Sequence, residues 1–565
     1  MKRRTIAAVL LVLLVTGAAP GDVHLEHKWA YVSSNLLVEK NVEDLLVLMD
    51  RVKQAGYTGI LLADSKFSRL DQLGERYFRN VRRVIAKARK LDLEIIPCIF
   101  HIGYASGILA HDVNLVEGVP AVDVPFVVRG GRLVPESSTK LVNPDFEDVD
   151  RGRFTGWRQE NVGQSVFADR RVTKSGNVSV RMQDIRRHSP KHGHCRLHQL
   201  VRTKPFQYYL LSVWIRTENF EYPRGIKLMA LGNKRQTLTY QQFRIAKTQD
   251  WKQYRVAFNS LECDEVRIYC GVWKGQSGKV WWDGLTLEPG GFTNVIRRDS
   301  APISITTSDK RSTYVEGRDY ARIVDPKLGN ERWPGSYGLM HPAPVVTVPA
   351  GSRLREGDRV LASYFHVVFT KRGQVTCNLL DPKLYEILDD QMKRVHWLFG
   401  AKRYMMSHDE IRVGGWTPDY AGRTMGEVLA MNVKRCRDII RKHAPKAQAF
   451  VWSDMFDPNH NARDNYYLVK TTWAGSWKGL AKDVVLIDWY ARKAPETMKF
   501  FHEPNRHEQI MAGYYDGNVA ANVKQWMTAA KASPAKVTGI IYTTWRRNYN
   551  DLERFMDEVR KHEKN

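Results

Sequence analysis

The chain has 565 residues, of which 43% are hydrophobic, 11% aromatic and 26% charged. These shares are ordinary for a globular protein and exclude wholesale disorder, collagen-like repeats and low-complexity classes. Lys and Arg number 87 against 61 Asp and Glu, so the formal net charge is +26. That balance favours an acidic partner, namely nucleic acid, an anionic envelope or a polyanionic glycan, and a basic surface selected for solubility is the alternative. The basic residues form no long tract and no nucleic-acid motif, so nucleic acid is not an expected partner.

The N-terminus predicts export. Basic residues at 2–4 precede an apolar run at 6–15 and a small-residue cleavage site after Ala18. A charged start, a short apolar run and small residues are typical of a cleavable signal peptide, here 1–18. The apolar run is too short to cross a bilayer comfortably, and no later segment has the pattern of a membrane helix. We therefore expect a secreted or periplasmic protein that does not insert into a membrane.

From 22 to 139 the pattern alternates between strands and amphipathic helices. Strands separated by helices of this length indicate βαβ units and a parallel sheet. The predicted elements are a strand at 27–37, a helix at 41–56, a strand at 57–64, a helix at 77–92 and a strand at 93–100. We interpret this segment as the first part of a barrel.

Helical periodicity is almost absent from 140 to 290. Short alternating strands with turn residues between them predict an all-β sandwich of the jelly-roll type. They lie at 178–184, 208–217, 225–232, 251–260, 265–273 and 279–289. The stretches LVNPDFEDVDRGRFTGWRQE and VWWDGLTLEPGG at its two ends resemble jelly-roll carbohydrate-binding modules. A β-rich connecting segment, 291–370, follows, and within it 349–368 predicts a hairpin that returns the chain to the barrel.

The alternation of strands and helices resumes from 371 to 565. Predicted helices lie at 381–400, 426–445, 521–532 and 551–562, and predicted strands at 403–412, 447–455, 483–490, 509–516 and 539–545. With the first three strands this makes eight, the number that closes a barrel. We therefore predict an α/β fold, a (β/α)8 TIM-type barrel whose third βα loop carries the sandwich. An open doubly wound sheet is the alternative, although the glycine-rich nucleotide-binding motifs are absent.

The predicted strand ends carry the candidate site. Catalytic groups of such barrels lie at the carboxyl ends of strands, and the fourth strand ends in Asp409 and Glu410. Two neighbouring carboxylates in a cleft raise the pKa of one of them, so that it can act as an acid. Aromatic rings that stack on sugar faces and polar groups that bind hydroxyls complete the predicted substrate site: His101, His408, Trp452, Asp488, Trp489, Tyr490, Tyr515 and Trp545.

The motif RYMMSHDEIR resembles the fourth-strand motif of family 20 glycoside hydrolases, the β-N-acetylhexosaminidases. FVWSDM, IDWY, GYYD and IIYTTW resemble that family's later strand ends in order and spacing. The resemblance implies a retaining, substrate-assisted hydrolysis of terminal N-acetylhexosamine, in which the substrate's acetamido oxygen is the nucleophile. It assigns Asp409 to orient the acetamido group, Glu410 to act as acid and then base, and Tyr490 or Tyr515 to bind the acetamido oxygen. It implies no cofactor and no metal.

Two departures from the family pattern concern charge. The family has an Arg near the first strand that binds sugar hydroxyls, and this chain has Lys28 at the comparable place, which cannot make the same bidentate contact. Arg546 and Arg547 stand where the family has a Glu, which favours a carboxylated or sulfated sugar. Two alternatives stay open: a glycosidase with Asp409 or Asp488 as a protein nucleophile, and an inactive glycan-binding protein.

Three further features are left open by the sequence. Cys263 and Cys270 could pair within the sandwich, because export permits disulfides. In the sandwich, Trp273 and the pair at 281–282 are candidate sugar platforms, although alternation along a strand would bury one ring of the pair. A histidine-rich stretch at 188–198 matches no zinc spacing. The sequence does not indicate an oligomeric state.

Overall fold

The computed structural model describes residues 23–368, 370–371, 373–503 and 506–563. The predicted signal peptide, 1–18, lies outside these ranges and stays a prediction. Within them, no helix combines the length and the apolar character needed to cross a membrane.

The first part of the chain contributes β1 (His27–Ser33), α1 (Glu39–Gln54), β2 (Gly59–Ala63), α2 (Glu75–Lys90) and β3 (Glu94–Ile99). A long strand and a short one then leave the barrel, β4 (Gly118–Arg129) and β5 (Arg132–Pro135). The middle of the chain is almost entirely β: β6 (Val149–Asp150), β7 (Arg153–Phe154), β8 (Arg158–Gln159), β9 (Val166–Asp169), β10 (Ser179–Met182), the one-turn helix α3 (Ile185–His188), β11 (Cys195–Arg202), β12 (Tyr208–Glu218), β13 (Ile226–Leu231), β14 (Gln249–Asn259), β15 (Glu265–Val272) and β16 (Lys279–Pro289).

Four strands lead back towards the barrel: β17 (Ser304–Thr307), β18 (Thr313–Tyr314), β19 (Val346–Thr347) and β20 (Arg359–Val367). The last part comprises α4 (Pro382–Phe399), β21 (Arg403–Met406), β22 (Val413–Gly414), α5 (Met425–His443), β23 (Gln448–Trp452), β24 (Leu468–Val469), β25 (Val485–Asp488), α6 (Ala494–His502), β26 (Gln509–Tyr514), α7 (Val519–Ala532), β27 (Val537–Thr543) and α8 (Leu552–Glu563). The helix α6 was not predicted from the sequence.

Eight parallel strands form a closed barrel in the order β1-β2-β3-β21-β23-β25-β26-β27, and β27 pairs back onto β1. The predicted closed barrel is confirmed, and the open doubly wound sheet is wrong. Strict alternation of strand and helix is not observed, because β23 and β25 are joined by short 3₁₀ turns and β24 rather than by an α-helix.

The barrel strands are apolar on both faces, as expected for strands covered by helices outside and by side chains inside. Side chains such as Trp29, Phe450 and Ile487 fill the interior. The helices turn apolar stripes inward, and α5 begins with a capping box between Thr424 and Glu427. This packing leaves one open end, the carboxyl ends of the strands, available for a site.

The insertion lies between β3 and α4, in the predicted third βα loop. Its first strand β4 and last strand β20 run antiparallel, from Arg359 opposite Val127 to Val367 opposite Gly118, in a six-stranded sheet β18-β17-β20-β4-β5-β19. The hairpin predicted within 349–368 is therefore not formed, because β20 pairs with β4 and β17. Residues 118–135, inside the predicted 22–139 segment, belong to this sheet rather than to the barrel.

Two antiparallel sheets, β14-β12-β16-β10-β9 and β13-β15-β11-β8, share one apolar core and make the sandwich. Trp282 is buried in this core at 0% exposure, and Trp281 is buried on the other face of β16 at 2% exposure, where its indole N–H donates to Asp169, so neither forms a sugar platform. Cys263 and Cys270 are buried free thiols, so the pairing considered from the sequence is absent.

Candidate active site

The Asp-Glu pair follows β21 at the open end of the barrel. Met405 faces the barrel interior, so alternation along the chain directs Ser407 and Asp409 inward as well. Glu410 has a positive φ of 51°, and this left-handed turn brings its carboxyl to the same cavity as that of Asp409. Gly103 packs against this turn, and a Cβ there would lie 2.2 Å from the Asp409 carbonyl oxygen.

A cavity of about 450 Å³ surrounds the pair, within the roughly 300–1,000 Å³ range of small-molecule sites. Every lining side chain comes from a strand end or from the loop after one, except Lys371, which comes from the end of the insertion. The lining residues are Tyr31, His101, Tyr104, Lys371, Ser407, Asp409, Glu410, Trp452, Trp489 and Trp545.

Aromatic rings make one continuous wall. Tyr31, Trp452 and Trp545 contact one another with ring centroids 5.1 to 6.1 Å apart. Tyr515 lies between Trp545 and Trp489, at 5.5 and 5.9 Å. Its hydroxyl is buried and makes no hydrogen bond to any described residue. Because buried hydroxyls normally have a partner, this donor is available to a ligand.

Asp409 is the proton-holding member of the pair. Its carboxyl accepts a 2.8 Å hydrogen bond from the Ser407 hydroxyl. Burial and the neighbouring Asp454 carboxylate raise the pKa of Asp409 to about 7. Burial also raises the pKa of Asp454 to about 6, although that carboxylate accepts hydrogen bonds from the Glu410 backbone at 3.0 Å and from Asn461 at 2.8 Å.

Glu410 has the opposite environment. Burial alone would raise its pKa, but the Arg412 guanidinium at 2.5 Å and the Lys371 ammonium at 3.3 Å hold it below its usual value. The Tyr104 hydroxyl also donates to Glu410. The free protein therefore keeps Glu410 ionised and a proton near Asp409, whereas the resemblance to family 20 implies that Glu410 is the acid.

The two predicted histidines lie in different places. His101 lines the cavity, and burial lowers its pKa to about 4, so that it is neutral at neutral pH. His408 points away from the cavity towards α5, where its ring nitrogen lies 3.0 Å from Asn432. Burial lowers the pKa of His408 to about 3, and its contacts are those of a core residue.

Three further predicted residues lie outside the cavity. Lys28 is at the amino end of β1 and pairs with Glu563 at 2.9 Å, so it lies at the opposite end of the barrel. Asp488 is buried on the outer face of β25, because Ile487 faces the interior. Tyr490 stacks on His460 at 4.6 Å, behind the Trp489 wall. None of these three side chains lines the cavity, so the predicted contacts with a sugar there are wrong.

The cationic groups of the site are also different from those expected. Arg546 and Arg547 are exposed and do not line the cavity, whereas Arg412 and Lys371 face Glu410. Arg412 follows the Asp-Glu motif by two residues and could have been noticed there, but no sequence signal links Lys371 to the barrel. Among the described residues, no group of three or more His, Cys, Asp or Glu is arranged to hold a metal.

The similarity of the chain to known proteins is remote. No protein-family model matches the chain, and no curated protein matches it. Among solved structures, TmCBM61 in complex with beta-1,4-galactotriose is 19% identical, with 27% of this chain and 99% of that chain covered and a TM-score of 0.21. The CBM22-1 xylan-binding domain from Paenibacillus barcinonensis Xyn10C is 12% identical, with 26% and 90% covered and a TM-score of 0.21.

A rhamnosidase from Novosphingobium sp. PP1Y is similar over more of the chain. It is 9% identical, with 93% of this chain and 55% of that chain covered and a TM-score of 0.31. The structural neighbours thus include carbohydrate-binding modules and a glycoside hydrolase. TM-scores this low do not indicate an activity. Membership of glycoside hydrolase family 20 stays a hypothesis.

Proposed function

We propose that the protein is a glycoside hydrolase that removes a terminal N-acetylhexosamine at the cavity around Asp409 and Glu410. The observation that carries the proposal is a buried carboxyl pair with opposite ionisation, enclosed by an aromatic wall. Tryptophan and tyrosine rings stack on the apolar faces of pyranoses. Carboxyl groups of divided protonation are the acid and base that glycosidic cleavage needs.

The substrate-assisted mechanism uses this geometry as follows. The acetamido group enters the box formed by Trp452, Trp489 and Trp545, and the free Tyr515 hydroxyl donates to its oxygen. Ionised Asp409 accepts the acetamido N–H, which directs the oxygen at the anomeric carbon. Since hydrogen bonding favours the charged form of a carboxyl, this contact releases the Asp409 proton, and Glu410 is the neighbouring carboxylate that can take it and pass it to the leaving oxygen.

A second candidate is favoured by the ion pairs of Glu410. Arg412 and Lys371 keep this carboxylate ionised, which suits a protein nucleophile that attacks the anomeric carbon directly. Protonated Asp409 is then the acid that protonates the leaving oxygen, and water later cleaves the glycosyl ester. This reaction needs no acetamido group on the substrate.

The pH profile of kcat/KM tests the proton that both candidates use. In the substrate-assisted reaction the Asp409 proton passes to Glu410 and then to the leaving oxygen, and in the protein-nucleophile reaction Asp409 donates it directly. Both reactions therefore lose activity as the pH rises above about 7, the pKa that burial and Asp454 confer on Asp409. Because Asp409 and Asp454 interact, the limb reports the pair.

Substrate selection separates the two candidates. The substrate-assisted reaction requires aryl 2-acetamido-glycosides to be cleaved far faster than their 2-hydroxy counterparts. A 2-deoxy-2-fluoro glycoside with a good leaving group labels Glu410 covalently only if this residue is the nucleophile, and peptide mass analysis detects the ester. In either case Glu410→Gln should lower turnover about 100- to 10,000-fold, while Glu386→Gln, at an exposed position of α4, should not. Equal turnover by Glu410→Gln and the wild type would exclude both mechanisms.

A further inference from the structure

A second depression lies where the sandwich meets the barrel. It has a volume of about 590 Å³, and we call it the sandwich groove. Its side chains are polar, cationic and aromatic, and they include Tyr222, Arg224, Lys227, Tyr240, Lys371 and Tyr467. No predicted site residue lies in it, and the proposed hydrolysis does not use it apart from Lys371.

The sandwich groove adjoins the catalytic cavity at Lys371, which lines both. The sandwich holds this lysine by its backbone: Lys371 N–H donates to the Tyr240 carbonyl at 2.8 Å, and Gln242 N–H donates to the Lys371 carbonyl at 2.9 Å. Its ammonium lies 3.3 Å from Glu410. A chain leaving the cavity at Glu410 therefore passes Lys371 and enters the groove.

The charged side chains that line the groove are all cationic. None of its described lining residues is Asp or Glu. Arg224 and Lys227 are exposed, and neither forms an ion pair with any residue that the structure describes. The ammonium groups of Lys227 and the nearby Lys274 repel each other, so an anion placed beside Lys227 relieves this repulsion.

The groove also has ring faces suited to sugars. Tyr240 and Tyr467 contact each other with centroids 4.8 Å apart, and Tyr222 is 37% exposed. Exposed aromatic faces beside unpaired cations are the combination that binds a charged saccharide, since the rings stack on its apolar face and the cations pair with its acidic groups.

We infer that the sandwich groove is the subsite for the leaving-group part of an anionic glycan, one that bears carboxylate or sulfate groups beyond the terminal N-acetylhexosamine. This inference rests on the proposed function, because the aromatic-walled cavity then holds the terminal sugar and the rest of the chain leaves past Lys371. The sandwich is accordingly part of the substrate site and not only a separate binding module.

The test compares substrates that differ only in charge. The probes are a tetrasaccharide of alternating N-acetylglucosamine and glucuronate, with N-acetylglucosamine at its non-reducing end, and the same tetrasaccharide after carboxyl reduction. A carboxyl-reduced chondroitin 6-sulfate tetrasaccharide with N-acetylgalactosamine at its non-reducing end, in which sulfate is the only acidic group, distinguishes sulfate from carboxylate recognition. An aryl N-acetylglucosaminide, which does not reach the groove, reports the chemistry alone.

The groove variant is Arg224→Gln/Lys227→Gln, and the matched control is Arg170→Gln/Lys252→Gln, two exposed cations of the opposite sheet. We expect the wild type and the control to favour the acidic tetrasaccharide over its reduced form about tenfold in kcat/KM, from two exposed ion pairs of about threefold each. The groove variant should lose this preference and keep its aryl glycosidase activity. Equal cleavage of both tetrasaccharides by the wild type, or a preference that the groove variant retains, would overturn the inference.

Failure of the proposed function gives a different result. If no glycoside is cleaved, the hydrolase proposal is wrong, and calorimetric binding of the intact tetrasaccharides to the Asp409→Asn protein decides the groove by itself. Tighter binding of the acidic form that disappears with Arg224→Gln/Lys227→Gln supports the subsite. Equal binding of the acidic and the reduced form refutes it.

Discussion

Replacing Arg412 by methionine tests whether one ion pair sets the charge state of the site. Arg412 is 1% exposed, and its guanidinium lies 2.5 Å from a Glu410 carboxylate whose side chain is 22% exposed. Methionine keeps an apolar stem and removes the charge. Removing one partner of a buried pair leaves the other charge uncompensated and costs about 3–5 kcal/mol. Because Lys371 remains 3.3 Å from Glu410, we expect the lower end, about 3 kcal/mol at neutral pH.

The pH dependence of the free energy of unfolding tests whether the charge of Glu410 causes the loss. In the wild type the pKa of Glu410 is below its usual value, so the stabilisation from its charged form is present at neutral pH and is lost as the pH falls through the acidic range. In Arg412→Met only Lys371 remains to offset the burial of Glu410, so the pKa of Glu410 rises. The charged carboxylate then destabilises the variant at neutral pH, and protonation relieves the penalty. The difference between wild type and variant should therefore shrink as the pH is lowered.

The assay is urea unfolding followed by tryptophan fluorescence, in a double-mutant cycle with Glu410→Gln. The double variant holds no uncompensated carboxylate, so it should recover about 2 kcal/mol or more of the loss as coupling energy. Lys371→Met, at a side chain that is 34% exposed, should cost less than about 1 kcal/mol. Single variants whose effects add within about 0.5 kcal/mol, with a loss that does not change with pH, would refute the reasoning.

Three further predictions concern the cavity and its limits. Asp409→Asn removes the carboxyl whose pKa burial and Asp454 raise to about 7, so the kcat/KM limb near neutral pH should vanish and turnover should fall at least about 100-fold; a limb that persists contradicts the assignment. Trp545→Ala should weaken binding of N-acetylhexosamine about 3- to 10-fold by calorimetry, whereas Trp397→Ala, whose ring is 75% exposed on α4, should not change it. Lys28→Met should leave KM within about twofold, since the side chain lies at the far end of the barrel and its ion pair is worth about 0–1 kcal/mol; a large rise in KM would place Lys28 at the substrate.

The sequence predicted most of the elements because apolar periodicity is local information. The helices at 39–54 and 425–443 and six strands of the sandwich follow from it directly, whereas β11, which begins in the histidine-rich stretch, and the short strands β6 to β9 were not predicted. The helix α6 was missed because its nine residues, with a proline at the start, give too few turns for a clear stripe. The β4–β5 pair was assigned with the barrel segment because its partner β20 lies more than 200 residues further along the chain.

At the site, the sequence by itself determined which residues stand at strand ends, and therefore which could face the cavity: Asp409, Glu410, Trp452, Trp489 and Trp545. The resemblance to family 20 also suggested Lys28, although this residue stands at the amino end of the predicted strand 27–37 and therefore at the end of the barrel opposite to the cavity.

Only the tertiary structure decided how the protons are distributed. Lys371 reaches Glu410 from the end of the insertion, and Asp454 reaches Asp409 from the next barrel strand. The pKa of a carboxyl depends on burial and on every charge within a few ångströms, whatever its distance along the chain. For that reason the motif could indicate a candidate pair, but it could not say which of the two carboxyls keeps the proton.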